Sequence, residues 1–276
     1  MNLVVQGAQA QAAHAAEIAR LAGAREAEQI AAKAFRLRGA QDNPAVRERC
    51  RELGLDCAVV AAGRRLADLK LLAMDMDSTL ITIECIDELG DMLGRKAEIS
   101  AITARAMRGQ IDYPESLRQR VALLAGLHLE ALEQVYRERL RLSPGAEALV
   151  AACRRHGVKL LLVSGGFSFF TDRLKQRLGL DYTIANALEL DGDRLTGGLV
   201  GRIVDADAKA ARFREVAHAL GAAREQTVAI GDGANDLKMM AEAGLSVAYR
   251  AKPVVKAQAH CALDFSGLDG VLHLFE

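Results

Sequence analysis

Residues 71–88 read LLAMDMDSTLITIECIDE. The opening apolar residues do not alternate with polar ones, which suits a strand covered on both faces, and the run ends at Asp75. Three further runs have the same character. Residues 158–163 (VKLLLV) end at Ser164, residues 227–230 (TVAI) end at Gly231-Asp232, and residues 245–248 (LSVA) form the last. Helical stretches separate them, at residues 145–156 and 207–220. Strands alternating with helices predict a doubly wound α/β fold with a parallel sheet. Two insertions interrupt the winding. Residues 84–140 have helical periodicity and predict a helical cap. Residues 186–205 (NALELDGDRLTGGLVGRIVD) predict a β-hairpin, with turn signals at Asp191-Gly192 and Gly197-Gly198.

In open α/β sheets, ligands bind at the carboxyl ends of the strands. Here those ends carry Asp75-Met76-Asp77-Ser78-Thr79, Ser164-Gly165-Gly166 and Gly231-Asp232-Gly233-Ala234-Asn235-Asp236. Any one of these alone reads as an ordinary turn or cap. Together they gather carboxylates, a hydroxyl and glycine-rich backbone at one edge. Clustered carboxylates call for a cation, and oxygen ligands of this kind suit Mg²⁺. The glycine turn after Ser164 offers backbone N–H groups to an anion, and Lys209 supplies a positive charge. A carboxylate there can act as a nucleophile, with a second, two residues on, as general acid and base.

The ordered set DxDST, SGG, a downstream lysine and GDGxND resembles the four motifs of the haloacid dehalogenase superfamily. More closely, MDMDSTLITIECIDE, AMRG, SLRQRVALL, SGGF and GDGANDLKM resemble the phosphoserine phosphatase family, over about residues 70–276. The resemblance implies roles. Asp75 is the nucleophile, and Asp77 protonates the leaving oxygen and later activates water. Asp75, the Asp77 main-chain carbonyl and Asp232 hold Mg²⁺. Ser164, Gly165 and Lys209 bind the phosphoryl group, Asn235 orients it, and Asp236 supports the metal site. It also places Glu84 on the substrate ammonium and Arg118 on the substrate carboxylate, with Met107 and Tyr113 lining the pocket. Met76, between the two aspartates, is expected to point into the core. The implied reaction is hydrolysis of O-phospho-L-serine. The rival readings are phosphotransfer to another alcohol, action on another small phosphate ester, or a binding protein with a vestigial site.

The remaining features bound the partners and the compartment. The 276 residues carry 36 basic and 36 acidic side chains, so no basic excess favours nucleic acid. No apolar run spans a bilayer, the N-terminus does not read as a signal peptide, and five cysteines without a close pair fit a reducing cytoplasm. Residues 1–68 predict a separate α+β unit, ferredoxin-like in its order of elements, and 69–276 the phosphatase domain. The first unit resembles the small amino-acid-binding modules of the ACT type. A structural appendage or a homodimer surface is the alternative, and no ligand motif is visible in it.

Overall fold

The computed structural model describes all residues, 1–276. The N-terminal part runs β1 (Asn2–Gln6), α1 (Ala12–Leu21), β2 (Glu26–Ala31), β3 (Ala34–Arg38), α2 (Pro44–Glu52) and β4 (Asp56–Val60). Asn43 caps α2, its side chain accepting from the Val46 N–H at 3.0 Å, and Pro44 fills the first turn. The four strands form an antiparallel sheet in the order β2-β3-β1-β4. Alternation along β1 and β3 sends Leu3, Val5, Phe35 and Leu37 toward α1 and α2, where they pack with Ile18 and Val46.

The opposite face of this sheet meets the C-terminus of the same chain. Val4, Ala58 and Val60 share a core with Leu268, Val271 and Leu274. Polar contacts seal the seam. The buried Asp56 carboxylate accepts the N–H groups of Asp264, Phe265 and Ser266 at 2.7–3.1 Å. Gln6 donates to the Gly270 carbonyl at 3.0 Å, and Arg36 donates to the His273 and Phe275 carbonyls.

The larger part continues with β5 (Leu71–Asp75) and the cap helices α3 (Cys85–Met92), α4 (Lys96–Met107), α5 (Tyr113–Ala122) and α6 (Leu129–Gln134). It returns through α7 (Ala146–Arg155), β6 (Lys159–Phe167), α8 (Ser168–Leu178), β7 (Tyr182–Asp191), β8 (Arg194–Val200) and α9 (Ala206–Ala219). It ends with β9 (Thr227–Gly231), α10 (Leu237–Glu242), β10 (Leu245–Tyr249), α11 (Pro253–Lys256) and β11 (Cys261–Leu263). The sheet order is β11-β10-β9-β5-β6-β7-β8, parallel except for the β7–β8 hairpin. Asp75 pairs with Val163 and Met74 with Ile230, so Asp75, Ser164 and Gly231-Asp232 come level at the carboxyl edge. Met76 is fully buried, as its place between two outward aspartates requires.

The hairpin differs from expectation in one respect. Asp191-Gly192 lies at its turn, with Gly192 at φ +59°, but Gly197-Gly198 lies inside β8. A side chain on Gly197 would meet Ala122 and Ala125 of the cap at 3.0–3.2 Å. The glycine is there to let α5 approach the strand. Next to it, the end of the cap is stitched to the hairpin. Gly126 N–H donates to the Leu195 carbonyl, Leu195 N–H to the Leu127 carbonyl, and Leu129 N–H to the Asp193 carbonyl, at 2.8–2.9 Å.

No helix is long and apolar enough to cross a membrane.

Candidate active site

A cavity of about 640 Å³ opens between the cap and the carboxyl edge of the large sheet. At its floor Asp75, 5% exposed, ends β5. The chain then turns through Ser78, which holds a left-handed backbone at φ 56°. That turn points the Ser78 hydroxyl at Glu84, to which it donates at 2.7 Å. The Asp77 carboxylate is fixed from two sides. One oxygen accepts the Cys85 N–H at 2.9 Å, and the other accepts the Ser164 hydroxyl at 3.2 Å. Gly166 N–H donates in turn to the Ser164 oxygen at 2.8 Å. A β-carbon on Gly166 would lie 2.6 Å from the Asp77 carboxylate, so this approach requires glycine.

Lys209 sits four residues beyond Asp205, whose side chain caps α9. Its ammonium is fully buried and donates to Asp75 at 2.6 Å and to Asp236 at 2.8 Å. Burial alone would lower its pKa, but Asp236 and Asp75 together hold it above the usual lysine value. Burial pushes the Asp75 carboxyl well above its usual range, and the Asp236 charge adds to this. Lys209 offsets only part of it, because its one charge is shared between two carboxylates. Asp77 is raised too, chiefly by burial. Asp232 is pushed up to about 6 by burial and by Asp236.

Carboxylate oxygens of Asp75, Asp232 and Asp236 all lie within 4.8 Å of one another. Asp236 is already committed, one oxygen to Lys209 and the other to the Gly233 N–H at 3.0 Å. Asp75 and Asp232 thus keep free carboxylate oxygens facing the cavity, while Asp236 braces the pair. Crowded, buried, oxygen-only donors fit a hard divalent cation, which would relieve the repulsion that raises these carboxyls.

The cap supplies the opposite wall. Glu84 lies at the mouth of α3, raised to about 7 by burial and by the Asp77 charge. Along α5, Tyr113, Ser116, Leu117 and Arg120 face the cavity. Arg118 does not. Its side chain is 61% exposed, its nearest carboxylate is Glu115 on the same helix at 3.8 Å, and it borders a separate cleft beside Gly197 and Arg202. The expectation that Arg118 reads the substrate is therefore corrected. Arg120 is the cavity's cap arginine, with its Nε donating to the Ser116 carbonyl at 3.3 Å. Met107 and Tyr113 line the cavity as expected.

The structure brings together Asp75, Asp77, Glu84, Gly165, Asp232 and Asn235 on the cavity wall, with Ser164 and Lys209 bonded directly behind it. Sequence reasoning missed Asn186. Its amide donates to the carbonyls of Gly165 and Gly166 at 2.8 and 3.3 Å, while its oxygen accepts the Val204 N–H at 2.7 Å. Tyr113 donates to the same Gly165 carbonyl at 3.0 Å. The carbonyls of the Ser164–Gly166 turn are thereby held from behind and from the cap. Thr79 was also passed over, although it lies in the DxDST run; its hydroxyl donates to Asp232 at 3.3 Å.

A doubly wound sheet with an insertion between the first strand and the next, and paired aspartates at its edge, defines a haloacid dehalogenase-like hydrolase; the family matches residues 72–241, and the chain belongs to it. Phosphatases of this family use a divalent metal, and the acidic group at this edge could hold one. A domain of unknown function matches residues 3–49. Similar proteins within the larger family include phosphoserine phosphatases. The one from Polaromonas sp. is 55% identical over 226 residues, which is 80% of this chain and 96% of that relative. The structure of a probable phosphoserine phosphatase from Vibrio cholerae is 37% identical and superposes with a TM-score of 0.87, over 99% of this chain and 85% of that one. A substrate-bound phosphoserine phosphatase complex is 36% identical, with a TM-score of 0.71, over 75% of this chain and 99% of that one.

Proposed function

We propose that this chain hydrolyses O-phospho-L-serine to L-serine and phosphate, with Mg²⁺ as its cation. The observation that carries this reading is the pairing of Glu84 and Arg120 across one cavity whose floor is Asp75. A carboxylate suits the substrate ammonium, and a guanidinium fork suits its carboxylate. Held at both ends, a phospho-amino acid presents its phosphorus toward the sheet edge.

Asp75 attacks phosphorus with its free oxygen, while Lys209 anchors the other oxygen and fixes the line of attack. Asp77, whose carboxyl is raised above its usual range chiefly by burial, gives a proton to the departing serine oxygen. Ser164 and Cys85 hold that carboxyl in place. The resulting aspartyl phosphate is hydrolysed by water that Asp77, now ionised, activates. Gly165 and the Asn235 side chain, both on the cavity wall, would receive the equatorial phosphoryl oxygens. Asp75, the Asp77 main-chain carbonyl and Asp232 would hold Mg²⁺, which would supply charge neutralisation at this edge.

Residues 1–68 we read as a structural domain fused to the phosphatase domain of residues 69–276. Both faces of its sheet are covered within the chain, which leaves its edges and outer helices for any homodimer contact. All five cysteines are free, which fits the reducing cytoplasm proposed for the protein.

The test is phosphate release from O-phospho-L-serine beside a panel of small phosphate esters, with and without EDTA, for wild type and Asp75→Asn. A preference for phosphoserine that EDTA and Asp75→Asn both abolish supports the whole reading. Even activity across the panel would keep the Asp75 chemistry and discard the substrate. Transfer of phosphate to an added alcohol in place of water would mark a phosphotransferase.

A further inference from the structure

Two residues other than glycine hold a left-handed backbone, Ser78 at φ 56° and Arg250 at φ 46°. Such conformations are disfavoured for L-residues and concentrate where function needs them. Ser78 has its reason in the hydrogen bond to Glu84. Arg250 lies just past the end of β10, and its N–H donates to the Leu263 carbonyl at 2.8 Å. The turn it makes sends the chain back over the carboxyl edge of the sheet. Lys252 then donates its main-chain N–H to the Asp232 main-chain carbonyl at 3.0 Å and caps α11, with Pro253 in the first turn. Lys252 thereby becomes part of the cavity wall, beside Asp232, Gly233 and Asn235, with its charge felt by the Asp232 carboxyl.

The charges around that cavity make this position significant. Five carboxylates line it: Asp75, Asp77, Glu84, Asp87 and Asp232. The lining cations are Arg120, on the cap, and Lys252. Lys209 lies behind the floor and already forms ion pairs with Asp75 and Asp236. Lys252 is exposed and enters no ion pair. A phosphate ester arrives as a dianion and meets a mouth of its own sign, except where the Arg120 guanidinium stands on the cap and this ammonium on the sheet side. A local charge of this kind decides where an anion first settles.

We propose that Lys252 is a phosphate-receiving group of this site. Its ammonium meets the phosphate ester at the cavity mouth before the phosphorus reaches Asp75, and it meets inorganic phosphate again on the way out. The proposal rests on the phosphatase reading above, but on no particular ester.

The decisive measurement is calorimetric titration of inorganic phosphate into the full-length, Mg²⁺-loaded protein, for wild type, Lys252→Gln and Lys252→Arg. The main-chain hydrogen bond to Asp232 survives both substitutions, so the side chain alone is tested. Lys252→Gln should weaken phosphate binding about tenfold, as loss of a charge-assisted contact does, and Lys252→Arg should restore most of it. Raising ionic strength should weaken wild type more than Lys252→Gln. In turnover, KM for the phosphate ester should rise in parallel, with a much smaller change in kcat. Unchanged phosphate affinity in Lys252→Gln would overturn the proposal. So would a fall in Mg²⁺ affinity and kcat with phosphate affinity intact, since the lysine would then act only through Asp232. If phosphoserine proved not to be the substrate, the phosphate titration would still decide the role of Lys252.

Discussion

Glu84 can hold an ammonium only when ionised, and its pKa is pushed up to about 7, first by burial and then by Asp77. KM for phosphoserine should therefore rise as pH falls through 7, with little change above 8. Glu84→Gln should give a high KM without that dependence. A KM profile identical in the two proteins would remove Glu84 from the ammonium. On the other side of the cavity, Arg120→Ala should lower kcat/KM for phosphoserine about 10- to 100-fold, the range for losing a charged hydrogen bond. Phosphoethanolamine, which has no carboxylate, should lose much less. Arg118→Ala should stay within about twofold on both, since its side chain is largely exposed. The two arginines also show what the sequence disclosed and what it hid. The SLR segment was read as carrying the substrate arginine at Arg118, but two residues along a helix turn a side chain through about 200°. Finding Arg120 in its place needed the helical phase. Tyr113 and Arg120 lie seven residues apart, two full turns, and so share a face; Arg118 lies opposite. Asp75, Asp77, Ser164 and Asp232 escaped this ambiguity because they lie at or near strand ends, and a strand end fixes its own place in space.

At the scale of elements, the cap and the β7–β8 hairpin behave as one piece. Backbone hydrogen bonds from Gly126, Leu195 and Leu129 join them, and Gly197 lets α5 sit against β8. In hydrogen exchange, the amides of these three residues should be protected nearly as well as those of β5 and β6. The turn after α4, near the exposed Met107, should exchange faster, because nothing comparable ties it down. Gly197→Ala should cost about 1–3 kcal/mol in denaturant unfolding, from crowding against Ala122 and from its backbone at φ +87°. A neutral effect would mean that the cap yields at this contact. None of this was visible in the sequence, where Gly197-Gly198 carried the ordinary signature of a turn. A glycine kept for close approach and a glycine kept for a turn look alike until the neighbouring element is known.

Across the whole molecule, the crowded carboxylates make stability depend on pH and metal together. Asp232 and Glu84 titrate near 6 and 7 in the fold, above the usual carboxyl range near 4. The folded state thus retains protons that the unfolded chain has already lost. The stability this contributes is full below about pH 4 and is lost as pH rises through 6 and 7. With EDTA present, Tm should fall by a few degrees between pH 5.5 and 8, and Mg²⁺ should recover most of the loss at pH 8. A metal-free Tm that climbs over that range would contradict the raised carboxyls. Asp56 ties the two sheets together through three N–H groups, and Asp56→Ala should destabilise the entire chain by roughly 2–4 kcal/mol. A single cooperative transition in that variant is expected, because the seam it weakens is shared by both cores. The α/β order of the large domain was readable from its apolar runs. The destination of the second face of the small sheet was not, since Val4 and Val271 lie 267 positions apart in the chain.

The bond from Tyr113 to the Gly165 carbonyl has a practical side. The chain contains no tryptophan and only four tyrosines, at positions 113, 136, 182 and 249. Its near-ultraviolet spectrum is therefore built on very few chromophores, and one of them spans the joint between cap and phosphate turn. Whatever opens that joint must move this phenol from a carbonyl into water. The protein carries its own optical gauge of closure, readable without a label, and Tyr113→Phe supplies the blank.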